Sequence, residues 1–328
     1  MSTYDVPGLG IAYCKGRELL FVGNYGVADR RKHIQLESKH LFRIASISKS
    51  ITSVAIFKLI ESGDLSLSQT VFGRDGVLKE YYLSNHSGWL EQITVHHLLT
   101  HTSGGWRNEP HDPMLQNLHL NRTQFLQRTL DEFPLNAPPG YLYAYSNFGY
   151  YVLGRVIERC SKKAYEQFVQ EVVLQPAGIR SMKLGKAKQT QDEVRYYGQG
   201  QIDPYSFPIE LHDSCGGWLA NPSELARFGA AVFSTVDNAG APPLLQPGTI
   251  VQMTQSTNAN PGYAAGWSVD SKGVCFHSGG IEGTASFLVH AGAGFSWAIV
   301  VNTRRDHSNM EKDLHQLSWD IERSVIAG

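Results

Sequence analysis

No stretch of this 328-residue chain is apolar for long enough to cross a bilayer, so no spanning helix is expected. Neither sign of charge dominates: 29 Lys and Arg stand against 30 Asp and Glu, a formal net charge of −1. That balance excludes the electrostatic footprint of a nucleic-acid binder or of a protein held to an anionic membrane. Cysteine is scarce. Cys14, Cys160, Cys215 and Cys275 stand far apart with no Cys-x-x-Cys, which fits buried free thiols better than a disulfide framework or a zinc site. The opening Met1-Ser2-Thr3-Tyr4-Asp5-Val6-Pro7 has no basic region and no apolar stretch, so no signal peptide is visible. As written, the chain is expected in the cytoplasm, or in a periplasmic or secreted setting if a leader has been removed. Internal repeats, low-complexity tracts and long linkers are missing too. So are the His-Glu-x-x-His of a zinc hydrolase and the Gly-x-Ser-x-Gly elbow of an α/β-hydrolase. What remains for a metal is the pair His97 and His101, four residues apart on one helix face. Two glycosylation sequons, at Asn85 and Asn121, are short enough to arise by chance.

What is present changes texture along the chain. Residues 8–26 read as two strands around Lys15-Gly16. From Ser46 to about Leu184 the pattern turns helical, with helices expected at 95–101, 123–130, 148–160 and 165–174. A further helix is expected at 222–233, capped by Asn221 with Pro222 at its first position. Strands return at 264–269, 273–278, 284–290 and 296–302, and an amphipathic helix closes the chain over 310–326. Strands at both ends of a helical middle imply an α+β fold, with one antiparallel sheet completed by distant segments.

Three stretches carry chemistry. In Ser46-Ile47-Ser48-Lys49 a buried helix is expected to begin near Ser46. The hydroxyl then sits at a helix N-terminus, and Lys49 lies on the same face three residues on. A serine beside a desolvated amine can act as a nucleophile. The same four residues describe equally well a capped core helix with an exposed lysine. In Pro138-Pro139-Gly140-Tyr141-Leu142-Tyr143-Ala144-Tyr145-Ser146-Asn147 a rigid loop presents a phenol and an amide just before a helix. Its plainer reading is a tyrosine-rich cover over the core, with Asn147 as the helix cap. In His277-Ser278-Gly279-Gly280 a strand ends in glycines that would let a substrate approach its edge closely.

Taken in order, Ser-x-x-Lys, Tyr-x-Asn and His-x-Gly resemble the three-motif pattern of the serine β-lactamase and penicillin-binding protein superfamily. The tyrosine and the histidine point to its class C-like branch, which also holds D-peptidases, family VIII-type carboxylesterases, acyltransferases and LACTB-like proteins. Gly63-Asp64-Leu65-Ser66-Leu67, Leu99-Thr100-His101-Thr102-Ser103-Gly104 and Ala265-Gly266-Trp267 extend the resemblance over nearly the whole chain.

The resemblance implies a β-lactamase/transpeptidase-like fold: an antiparallel sheet flanked by terminal helices, with an inserted helical domain. Residues 1–45 and 197–328 would form the α/β part and 46–196 the helical part, with the site in the cleft between them. It implies Ser46 as the acyl-forming nucleophile, with Lys49 and Tyr145 sharing the base work. A free tyrosine titrates at about 10, so the phenol needs a nearby cation. Asn147, His277, Ser278, Gly279 and Gly280 would bind substrate, with the Gly280 N–H beside that of Ser46 for the oxyanion. No metal or other cofactor is implied. The partner would be a small-molecule or short-peptide substrate, and the oligomeric state is left open. Where much of the family carries lysine, this chain has His277, which favours an esterase or peptidase over an efficient β-lactamase. Trp106, Tyr141, Tyr143, Tyr150 and Trp218 are candidates for an apolar acyl pocket. An acyltransferase on the same site and a catalytically silent scaffold stand as alternatives.

Overall fold

Leu9 near one end of the chain pairs with Val301 near the other, and this meeting organises the molecule. The computed structural model describes residues 1–16, 18–81, 88–198, 202–235, 242–305 and 309–327; the sequon at Asn85 lies outside them. β1 (Gly8–Lys15) and β2 (Glu18–Asp29) form the expected hairpin, with β3 (Ile34–Gln35) on its outer side. β4 (Phe42–Arg43) leads through a 3₁₀ turn, Ala45–Ile47, into α1 (Ser48–Glu61). The helical middle holds α2 (Val95–Leu99), α3 (Arg122–Glu132), α4 (Asn147–Ser161) and α5 (Tyr165–Val169). β5 (Lys183–Leu184), β6 (Tyr197–Gly198), β7 (Trp218–Ala220), α6 (Pro222–Phe233) and α7 (Pro247–Thr254) follow. Then come β8 (Ser268–Val269), β9 (Cys275–Ile281), β10 (Thr284–Ala291), β11 (Phe295–Val301), β12 (Thr303–Arg304) and α8 (Met310–Ala327).

The main sheet runs β3-β2-β1-β11-β10-β9-β8, antiparallel throughout. Its two faces follow the strand period of two. Ala12, Cys14, Leu288, Ala298 and Val300 face a core shared with Leu225, Ala226 and Phe228 of α6 and with α1. Ile11, Tyr13, Phe287, Val289, Trp297 and Ile299 face the other way, onto Met310 and Leu314 of α8. With both faces covered, β1 and β11 are buried almost end to end, which is why they read as near-continuous apolar runs. The fold is the expected α+β one, with its sheet between α6 and the C-terminal helix; the N-terminal flank contributes a short 3₁₀ turn, Ser2–Tyr4.

α1 is buried on nearly every side, including its hydroxyls. Ser50 donates to the Gly266 carbonyl at 2.7 Å, Ser53 to Ala265 at 2.7 Å and Thr52 to Ser214 at 2.6 Å, so these three buried O–H groups are satisfied. The helix begins two residues later than expected. Ser46 lies in the preceding 3₁₀ turn, where Ala45 adopts a left-handed φ of 45°. Elsewhere the helix expected over 165–174 is α5 followed by a single π turn, Gln170–Leu174. The strand expected from 264 shrinks to β8, because Gly266 at φ 76° bends the chain onto α1.

Candidate active site

Ser46 is aimed by three elements that grip the chain just before it. Ile44 donates its N–H to the Trp218 carbonyl of β7 at 3.0 Å, while its own carbonyl accepts from Ser286 of β10 at 2.9 Å. The Arg43 carbonyl accepts from Thr284 at 3.0 Å. β9 presses in so closely that a Cβ on Gly279 would lie 2.1 Å from the Ile44 oxygen. Only glycine fits there.

Lys49 is fully buried on the first turn of α1, which removes the reading of an exposed lysine. Its Nζ donates to Ser46 Oγ at 3.1 Å, to Asn147 Oδ1 at 2.7 Å and to the Cys215 carbonyl at 2.8 Å. An ammonium has three N–H groups, and here each has an acceptor. The Tyr145 ring centroid is 4.8 Å from that nitrogen, and the Tyr150 ring 5.9 Å. Tyr145 and Asn147 are set by the N-terminus of α4, whose cap is Ser146 and not Asn147: its hydroxyl accepts from Gly149 N–H at 3.0 Å. Asn108 ties down the same loop. Its side-chain oxygen accepts from Asn147 N–H at 2.7 Å, and its N–H donates to the Tyr145 carbonyl at 3.0 Å.

A cavity of about 560 Å³ opens over Ser46, lined by Tyr143, Tyr145, Asn147, Arg107, Asn108, Glu109, Phe207, His212 and Gly280 among others. A second hollow of about 270 Å³ shares Ser46, Tyr143, Tyr145 and Gly280 with it and reaches His277, Ser278, Tyr263, Arg304 and Glu311. Of the five aromatics offered for an acyl pocket, Tyr143 lines these spaces. Trp106, Tyr150 and Trp218 are buried, and Tyr141 is 80 % exposed. Arg304 on the same wall is ion-paired with Glu311 at 2.7 Å.

His277 sits inside a hydrogen-bonded chain whose direction can be deduced. The Ser278 carbonyl can only accept, so Nδ1 carries the proton of their 2.6 Å contact. Nε2 of the neutral ring then accepts from the Tyr263 hydroxyl at 3.1 Å. The Tyr263 oxygen in turn accepts from His101 Nε2 at 3.2 Å, and His101 Nδ1 accepts from Ser146 N–H at 3.1 Å. Burial holds both rings neutral, pushing His277 down to about 3 and His101 well below the ordinary histidine range, with Lys49 acting in the same sense. Both nitrogens of His277 are therefore engaged within the protein. The chain spans from the cap of α4 to the backbone of β9 and so joins the second motif to the third.

Lys49 thus touches both Ser46 and Asn147, and Tyr145 and Gly280 line the same cavity. The two histidines offered for a metal, His97 and His101, are engaged otherwise: His97 Nδ1 accepts from Thr94 N–H in a capping box, and both nitrogens of His101 belong to the chain just described. Sequence reasoning missed Asn108, Asp112 and Tyr263, and with them His212, whose buried Nε2 has no partner among the described residues. None of these belongs to a motif with a fixed spacing.

The profile of the family described as Beta-lactamase matches residues 1–318. The chain belongs to the beta-lactamase family. Among curated relatives in that family, "Protein flp" of Staphylococcus aureus strain MW2 is 27% identical over 291 residues, covering 87% of this chain and 57% of that protein. The chain therefore spans little more than half the length of that relative. "Esterase EstB" of Burkholderia gladioli is 28% identical over 267 residues, 75% of this chain and 64% of that one. Among solved structures, the D-amino acid amidase of Ochrobactrum anthropi SV3, complexed with L-phenylalanine amide, superposes with a TM-score of 0.79 at 21% identity. It covers 98% of this chain and 94% of its own. At that identity the likeness establishes the beta-lactamase-type fold.

Proposed function

We propose that the protein is a serine hydrolase of the class C-like type, cleaving an ester or amide through an acyl-enzyme on Ser46. The observation that carries this reading is the contact of a fully buried Lys49 with Ser46 Oγ at 3.1 Å beneath an open cavity. As an ammonium, Lys49 spends all three protons on acceptors and cannot also take the serine proton. Tyr145, whose ring centroid lies 4.8 Å from the Lys49 nitrogen, takes the proton instead. In acylation Ser46 Oγ bonds to the substrate carbonyl carbon while its proton passes to Tyr145. The bond to the leaving oxygen or nitrogen then breaks, and Tyr145 returns the proton to that atom. Water repeats the sequence in reverse and frees the acid. Backbone N–H groups of Ser46 and Gly280 stabilise the oxyanion, typically by about 3 kcal/mol per donor. Asn147 holds Lys49, and Ser278, Gly279 and Gly280 offer the edge of β9 to the substrate, in the cleft between residues 46–196 and the rest.

His277 is proposed as a strut for β9 and not as a ligand for a carboxylate. A neutral ring with both nitrogens engaged attracts an anionic substrate poorly, which favours ester or amide cleavage over efficient β-lactam turnover. Esterase EstB and the D-amino acid amidase support the same substrate classes. Intact-protein mass spectrometry with a fluorophosphonate tests the nucleophile: one adduct is expected, lost in Ser46→Ala. An unlabelled wild type would instead favour a silent scaffold. A panel of chromogenic esters, D- and L-amino-acid amides and cephalosporins tests the substrate class; cephalosporin cleavage near the diffusion limit would overturn it.

A further inference from the structure

An asparagine amide has two ends that differ in chemistry, and both ends of Asn147 are committed. Lys49 can only donate, so Oδ1 faces it, at 2.7 Å. At the opposite end Nδ2 donates to Asp112 Oδ2, also at 2.7 Å. The reversed amide would set its NH₂ against an ammonium and its oxygen against a carboxylate, so this orientation follows from the partners themselves. The Asn147 backbone is held separately, by Asn108. What Asp112 adds is control of the side-chain amide.

We propose that Asp112 is a positioning residue for the reaction: its carboxylate locks the Asn147 amide, and through it the lysine and serine, and places a negative charge behind Lys49. The proposal rests on the serine-hydrolase reading above and extends it to a residue outside the three motifs. The simpler role for Asp112 is as a cap, since Oδ1 accepts from Met114 N–H at 2.9 Å at the start of the 3₁₀ turn Pro113–Leu115. A cap needs one oxygen, and serine supplies it about as well as aspartate. The second oxygen of Asp112 is the one that reaches Asn147.

The other ionisable groups around Lys49 do not provide this charge. The phenols of Tyr145 and Tyr150 come from the second-motif loop and α4, and the Cys215 thiol, pushed up by burial, from the segment before β7. His101, His212 and His277 are buried rings held neutral. Asp112 itself is raised by burial, against the pull of Met114 N–H, the Asn147 amide and Lys49. Its negative charge opposes the build-up of further negative charge beside Lys49, so removing it should let the site reach its reactive state at lower pH.

The test is the pH dependence of the fluorophosphonate labelling rate in the wild type, Asp112→Asn, Asp112→Ser and Ser46→Ala, with thermal unfolding recorded alongside. Removing the charge is expected to move the acid limb of the profile down by roughly one pH unit. Loosening the amide is expected to lower the plateau about tenfold. Asp112→Ser is the decisive variant, because it keeps the turn capped and lacks the second oxygen. If it folds like the wild type and its limb has not moved, Asp112 is a cap and nothing more, and the proposal is overturned. A flat wild-type profile overturns it as well. Labelling that persists in Ser46→Ala would instead sink the nucleophile assignment, an outcome that the Asp112 variants cannot mimic.

Discussion

Lys49 shows what a single residue can and cannot reveal before a fold is known. Its spacing from Ser46 placed the two side chains on one face, and they are 3.1 Å apart. Its burial and its other two acceptors come from residues 98 and 166 positions away, which no local pattern encodes. His277 illustrates the reverse case. The motif marked it as a substrate ligand, but its nitrogens are consumed by Tyr263 and Ser278, and Tyr263 lies in a segment that carried no signal. The sharpest prediction at this scale concerns Tyr145. Its ring packs against His101 with centroids 4.3 Å apart, a contact that phenylalanine retains. Tyr145→Phe should therefore keep the unfolding temperature and lower turnover by about 10²- to 10⁴-fold, as loss of a proton shuttle does. Near-normal ester hydrolysis by this variant would show that the base lies elsewhere.

Among the elements, those with strong local signals were legible in detail. α6 occupies the expected 222–233 because Asn221 caps it, accepting from Glu224 N–H at 2.8 Å, and Pro222 opens it. β10 and β11 were expected to within a residue at each end, since strands covered on both faces read as near-continuous apolar runs, and β9 lies two to three residues beyond its expected bounds. Elements shaped by distant contacts were not legible. β4, β5 and β7 are two or three residues long, too short to show a period, and β4 finds β7 only across more than a hundred positions. The start of α1 was missed because Ala45 turns the chain in a conformation that an alanine seldom adopts. The contact between β9 and Ile44 gives a prediction at this scale. Gly279→Ala must push the strand away from the Ile44 carbonyl, at a cost of about 1–3 kcal/mol. Ser46 lies two residues beyond that contact. Both the denaturation midpoint and the fluorophosphonate labelling rate should therefore fall; an unchanged rate would mean that β9 does not set the serine.

For the whole molecule, buried histidines dictate the response to acid. His212 and His290 are pushed down to about 4 and His277 to about 3, in each case chiefly by burial, from an ordinary value of 6.5. Below about 6.5 the unfolded chain binds protons that the folded one refuses, so stability is complete above that value and declines as the pH falls towards 4 and then 3. Each such ring contributes a slope of about 1.4 kcal/mol per pH unit within its window. Urea midpoints measured across this range should drop steeply, and a flat series would show that the rings take up protons without unfolding. The pairing of Leu9 with Val301 reaches further, into how the molecule is made. The sheet cannot gain its middle until β11 has left the ribosome, and until then the hairpin of β1 and β2 waits with its oily faces bare. Biosynthesis should be slow to commit and dependent on chaperones, because the closing contact joins strands with nearly the whole fold between them.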